Sequence, residues 1–222
     1  MSNLPYGNLL GCLAFIAGRT RPDIMYAVNL LSQFQSNPGI KHCQSLLKLL
    51  GYLQSTRNFK LDLSKVNNLN LKCYSDSDFV ANRDDRVSIG GYSLFLDETP
   101  ISWRMFKQRR ESLSTMEAEY ITLMEAAKEL IWIKNALNND CLNLKLKECL
   151  LYCDNQVAIS FSNSPFENLR PKHIDIKYHF LRSLVCNKVF ELKCSRTSQI
   201  RNSRDFGNSG FGINLDLGSF QY

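Results

Sequence analysis

Ser114-Thr115-Met116-Glu117-Ala118-Glu119-Tyr120 opens a long helix, predicted over about 114–138. Positions 119, 123, 126, 130, 133 and 137 hold Glu, Leu, Ala, Leu, Ile and Leu, which lie on one face of a 3.6-residue period. Glu119 therefore heads an otherwise apolar stripe and is expected to point towards whatever the helix packs on. Glu117 heads the stripe 117, 121, 124, 128 (Glu, Ile, Met, Lys), which is less apolar. It also stands three residues after Ser114, the capping-box spacing, so it reads as a helix-start residue.

Outward from this helix the pattern alternates. Strands are predicted over Leu71–Ser75, Val87–Leu96 with Gly90-Gly91 inside it, and Pro100–Phe106, close enough in sequence for an antiparallel meander. After the helix come a strand at 148–153, a short helix at 155–163, a helix at 172–187 and a strand at 188–194. The order β-β-β-α-β-α-α-β predicts an α/β fold, one mixed sheet with helices on its faces. Two acids fall at its strands. Asp76 follows Leu71-Lys72-Cys73-Tyr74-Ser75, and Asp154 follows Cys149-Leu150-Leu151-Tyr152-Cys153. Taken singly each has an ordinary reading: a strand that stops at Tyr74 with Asp76 in the turn, and Asp154 as the N-cap of helix 155–163. Together, strand-Asp, helix-Glu and strand-Asp bring carboxylates from distant sequence to one place. Hard divalent cations take oxygen ligands, and metal-bound carboxylate sites hydrolyse phosphodiesters. The residues therefore point to a nuclease whose catalytic and metal-binding set is Asp76, Glu119 and Asp154.

The first 60 or so residues read as helical. Arg21-Pro22-Asp23 starts one helix, with Ile24, Val28, Leu31 and Phe34 at helical spacing, and Asn37-Pro38-Gly39 ends it. A second runs over about 41–55 with Cys43, Leu46, Leu47, Leu50 and Leu53 on its stripe. Two short amphipathic helices are too little for a domain alone, so they are expected to pack on something else. Residues 195–222 hold four of the chain's eleven glycines and no periodicity, and are expected to be a disordered tail.

The bulk composition of the 222 residues is globular, 44% hydrophobic and 22% charged, with a net charge of +6 that permits a polyanionic partner without requiring one. None of the eight cysteines forms a C-x-x-C pair, and Cys73, Cys149 and Cys153 sit in apolar strand runs. They read as small hydrophobes in a reducing compartment. The start lacks a basic leader and no apolar run approaches membrane-spanning length, so the expected setting is cytoplasmic or nuclear, away from membranes.

Six motifs occur in order: Tyr74-Ser75-Asp76-Ser77-Asp78, Ser88-Ile89-Gly90-Gly91-Tyr92, Pro100-Ile101-Ser102-Trp103, Leu113 to Tyr120, Tyr152-Cys153-Asp154-Asn155-Gln156, and Lys172-His173-Ile174-Asp175-Ile176-Lys177-Tyr178-His179-Phe180. Over about 70–194 they resemble the RNase H domain of copia-type LTR-retrotransposon Pol polyproteins. Leu4-Pro5-Tyr6-Gly7, Thr20-Arg21-Pro22-Asp23-Ile24, Ala27-Val28 and Tyr52-Leu53 resemble the end of the reverse transcriptase, its thumb-like helical region. The resemblance implies three parts: a thumb or connection remnant over 1–65, an RNase H-like mixed sheet flanked by helices over 69–194, and a divergent tail over 195–222. It implies hydrolysis of the RNA strand of an RNA–DNA hybrid with Mg2+ or Mn2+, in partnership with the rest of the Pol polyprotein. No polymerase activity is expected, since those catalytic aspartates would lie upstream. Asp76, Glu119 and Asp154 correspond to three of the family's four carboxylates, and Ala126, seven residues after Glu119, agrees with that choice over Glu117. The fourth Asp should follow the last strand. Thr197-Ser198-Gln199-Ile200 begins a matching segment, and Arg201 to Gly207 departs from it, with Asp205 the acid nearest by. The rival reading is thus a catalytically inactive nucleic-acid-binding or structural remnant.

Arg104, Lys107, Arg109 and Arg110, with Trp103 and Phe106 interleaved, form a basic run before the Glu119 helix. It reads either as a phosphate-positioning element or as a solvated loop. Trp103 is expected in the core. Spacing alone gives His173 and His179 no role, although a helix-start contact suits His173.

Overall fold

A computed structural model describes residues 4–78, 87–108, 112–139, 144–163 and 175–195, with the backbone alone at 175–178. These residues fall into two compact units, 4–61 and 62–195.

The first unit holds α1 (Tyr6–Arg19), a 3-10 turn (Pro22–Ile24), α2 (Met25–Ser32) and α3 (Ile40–Ser55). α1 is a helix beyond the two that periodicity marked out. Tyr6, Leu10, Leu13 and Ala17 line its buried face, and they join Ile24, Val28, Leu31, Cys43, Leu46 and Leu49 in one apolar cluster. The unit therefore has a core of its own, contrary to the two-helix expectation. The stripe on α3 is also rotated from the expected one: Leu49 is buried and Leu47 is 44% exposed. Asp23 does more than favour a helix start. It accepts Arg21 Nε at 2.9 Å and Nη2 at 2.7 Å, and the Tyr52 hydroxyl at 2.9 Å. Arg21 Nη2 also donates to Thr56 Oγ1 at 2.7 Å, so this partly buried ion pair ties the entry of α2 to the end of α3.

The second unit is the expected α/β arrangement, a five-stranded mixed sheet of order β3-β2-β1-β4-β5 with three helices, α4 (Thr115–Leu137), α5 (Gln156–Asn163) and α6 (Asp175–Cys186). β1 (Asn70–Asp78), β2 (Ile89–Leu96) and β3 (Thr99–Lys107) form the antiparallel meander; β4 (Glu148–Cys153) runs parallel to β1, and β5 (Glu191–Cys194) parallel to β4. β1 continues past Tyr74, so Asp76 lies within the strand and the turn reading fails. β5 is shorter than predicted because Lys188, with φ 51, closes a turn after α6. α4 starts as its sequence dictates: Ser114 Oγ accepts the Glu117 N–H at 3.2 Å and Glu117 Oε2 accepts the Leu113 N–H at 2.8 Å. Leu123, Ala126, Leu130 and Ile133 of its stripe pack with Leu71, Cys73, Leu94 and Leu151 of the sheet. Each leucine buried this way contributes about 1.5–3 kcal/mol. Gly90 permits the approach, since a Cβ there would stand 2.3 Å from Thr122 Oγ1. Trp103 is half-buried at the sheet's edge strand and not in the core. Cys73 and Cys153 are fully buried as read; Cys149 is partly so. The tail, Asp205 and His173 lie outside the described residues. Among the described residues no helix is long and apolar enough to cross a membrane.

Candidate metal centre

Asp76, Glu119 and Asp154 approach one end of the sheet from three elements. Asp76 lies on β1 opposite Gly91 of β2. β1 and β4 are parallel neighbours with Tyr74 level with Tyr152. Carrying that register two residues further sets Asp76 level with Asp154, just beyond the end of β4. Adjacent strands lie about 4.8 Å apart, so these two acids start from neighbouring backbone. Ser75 Oγ, donating to the Tyr152 carbonyl at 3.1 Å, fixes the pair of strands immediately below.

Glu119 comes from α4. It is 7% exposed, as the apolar stripe behind it requires, and its Oε1 accepts the backbone N–H of Ser77 at 3.2 Å. A carboxylate oxygen of Glu119, one of Asp154 and the Cys153 sulfur all lie within 4.8 Å of one another. Asp76 is outside that group, yet its charge acts on the same thiol. Burial pushes the Cys153 thiol up to about 12; a backbone N–H at Asn155 opposes this, and the carboxylates of Glu119, Asp154 and Asp76 add to the rise. Cys153 is thus a neutral thiol at pH 7. Asp154 is exposed, and the residue after it caps α5: Asn155 Oδ1 accepts the Ala158 N–H at 3.0 Å.

The donor set fits a hard divalent cation, which binds carboxylate oxygens and has little use for a protonated thiol. Sequence reasoning missed Cys153 and Ser77. The alternation Cys149, Leu151, Cys153 could have shown that the thiol shares the α4-facing side of β4 with Leu151. Nothing local marks the Ser77 amide.

The basic run is divided. Arg104 is exposed, with its guanidinium 5.3 Å from the Phe106 ring, and Lys107 is half-buried. Three residues apart on a strand, they lie on opposite faces. Arg109 and Arg110 are outside the described residues. His179 is exposed on α6.

Over 205 residues, 92% of this chain, the sequence is 38% identical to the retrovirus-related Pol polyprotein from transposon TNT 1-94 of Nicotiana tabacum, of which it covers 15%. It is 41% identical over 181 residues, 81% of the chain, to the corresponding polyprotein from transposon RE1 of Arabidopsis thaliana, of which it covers 12%. Its homologues over most of the chain are thus retrovirus-related Pol polyproteins from plant transposons. The chain spans roughly an eighth of the length of those relatives. No protein-family model matches it. Among solved structures it resembles LC11-RNase H1 in complex with RNA/DNA hybrid, with TM-score 0.43 and 11% identity over 59% of this chain and 88% of that one.

Proposed function

We propose that this end of the sheet is the divalent-cation site of an RNase H-type endonuclease, one that hydrolyses the RNA strand of RNA–DNA hybrids within a copia-type Pol polyprotein. Asp76, Glu119 and Asp154 are its ligands and catalytic carboxylates, Mg2+ is the cation, and Mn2+ can replace it. The observation that carries the reading is the convergence of Glu119 and Asp154 beside Cys153, with the Asp76 charge acting on the same thiol. A cation bound there would lower the pKa of a coordinated water and offset the charge of a phosphodiester. The chain's own residues do the rest. Ser77 fixes the Glu119 carboxylate, exposed Asp154 leaves the site open to a polymer, and Cys153 adds no charge. Arg104, Lys107, Arg109 and Arg110 are the proposed phosphate contacts, and 2′-hydroxyl contacts would confine cutting to RNA. Residues 1–65 are proposed as the thumb remnant joining this domain to the polymerase.

A second reading, an inactive remnant, is favoured by the departure at Arg201 to Gly207, where the fourth carboxylate is expected. Cleavage of a labelled hybrid with Mg2+ and then Mn2+, beside Asp154→Asn, separates the two. Cutting that the substitution abolishes supports the nuclease; no cutting with either metal supports the remnant.

A further inference from the structure

Gln108, which follows β3, is 4% exposed. Its N–H donates to the Ser88 carbonyl at 2.9 Å, joining it to the start of β2. Its side-chain Nε2 donates to the Ala118 carbonyl at 2.9 Å and to Thr122 Oγ1 at 3.2 Å. Its Oε1 accepts the Ser112 hydroxyl at 2.7 Å. The Ala118 carbonyl can only accept, so the amide's orientation is fixed by its partners. Both polar atoms of a buried primary amide are thereby engaged, and all the side-chain bonds lead to the start of α4 or the loop before it.

Their targets surround Glu119. Ala118 precedes it, and Thr122 lies one turn on, its own hydroxyl donating to the Ala118 carbonyl at 3.1 Å. Thr122 also stands over Gly90, where the helix approaches β2 so closely that no Cβ fits. Glu119 itself reaches across to the Ser77 amide of β1. The stripe's leucines hold α4 on the sheet without choosing a height, because apolar packing is non-directional. Hydrogen bonds have preferred angles and a narrow range of lengths. We infer that Gln108 is a positioning residue that sets the height and rotation of α4's first turns and so places the Glu119 carboxylate beside Asp154. The inference rests on the nuclease reading for its consequence, not for its geometry.

The test uses the full chain carrying Gln108→Met, which keeps side-chain length and removes the amide, and separately Thr122→Val, which is nearly isosteric and removes the shared hydroxyl. Amide hydrogen exchange at 119–123 is read against 130–137 of the same helix, and Mn2+ affinity is measured by titration. About tenfold faster exchange at 119–123 alone, with Mn2+ binding at least fivefold weaker, is expected in both variants. Should Gln108→Met fail to fold, Thr122→Val carries the same expectation. Unchanged exchange at 119–123, or an equal rise along all of α4, overturns the positioning role. Wild-type Mn2+ binding that Asp154→Asn leaves unaltered overturns the metal reading instead, and the exchange pattern alone then decides for or against Gln108.

Discussion

Replacing Asp97 with alanine should destabilise the second unit by about 3 kcal/mol at pH 7. Asp97 turns the chain between β2 and β3 with φ 54. Its Oδ2 accepts the backbone N–H groups of Asn67 at 2.8 Å, Asn68 at 2.7 Å and Leu69 at 3.1 Å. Oδ1 accepts the Asn70 N–H at 3.1 Å and its side-chain Nδ2 at 3.0 Å. One carboxylate thus gathers the whole entry into β1. Desolvation alone would raise this carboxyl; the N–H groups of Asn68, Asn70, Asn67 and Leu69 outweigh it and hold the group at about 2, against an ordinary 3.8. Lowering a pKa by one corresponds to about 1.36 kcal/mol, and halving the result for solvent screening leaves about 1 kcal/mol from the charge. The left-handed backbone costs alanine about 1 kcal/mol more, and the neutral part of the lost hydrogen bonds roughly another. Because the folded carboxyl is depressed, the charge contribution is complete above the ordinary value and is lost as pH falls from about 4 towards 2. Asp97→Asn tolerates the positive φ and keeps one acceptor oxygen, but its amide nitrogen would face N–H groups that the second oxygen now accepts, so it should lose those bonds, about 1 kcal/mol, as well as the charge. Urea unfolding followed by circular dichroism at several pH values gives both numbers. The gap between wild type and Asp97→Asn should shrink by about 1 kcal/mol, the charge contribution, between pH 7 and pH 2. A gap of constant size, or an alanine cost below about 1 kcal/mol, would refute the reasoning.

Gly90→Ala places a Cβ 2.3 Å from Thr122 Oγ1 and 3.0 Å from Phe106 Cζ; overpacking of this kind should cost about 2 kcal/mol, read as a lower melting temperature. Arg21→Met leaves the partly buried Asp23 carboxylate with the Tyr52 hydroxyl but without its guanidinium. The first unit should lose about 2 kcal/mol, seen as faster amide exchange at Leu46 and Leu49. If Arg104 meets a phosphate, Arg104→Ala should weaken hybrid binding and make the slope of log affinity against log salt shallower by about one; an unchanged slope removes it from the interface.

The α4 stripe was legible because one helix buries one face, and Glu119 was legible as its exception. The order of strands and helices followed from equally local patterns. The first 60 residues read as helical, but no stripe was marked out for α1, because Gly7, Gly11 and Gly18 give Tyr6–Arg19 poor helix propensity, each costing about 1 kcal/mol relative to alanine. Burial of Tyr6, Leu10, Leu13 and Ala17 outweighs that cost. Leu47 and Leu49 were confused because α3 is leucine-rich on both sides of its true stripe, and only the packing partners choose between them. The extent of β1 past Tyr74 is set by its pairing with β2, where Asp76 meets Gly91 and Asp78 meets Ile89. The contacts that organise the candidate site, Ser77 with Glu119 and Gln108 with Ala118 and Thr122, join different elements and leave no periodic trace.

Mn2+ titration of the full chain, alongside Asp76→Asn, Glu119→Gln and Asp154→Asn, addresses the candidate site most directly. If the three carboxylates share a cation, each substitution should weaken binding at least tenfold, a change of about 1.4 kcal/mol or more, while far-UV circular dichroism stays unchanged. Binding of equal strength in all four proteins would contradict the account.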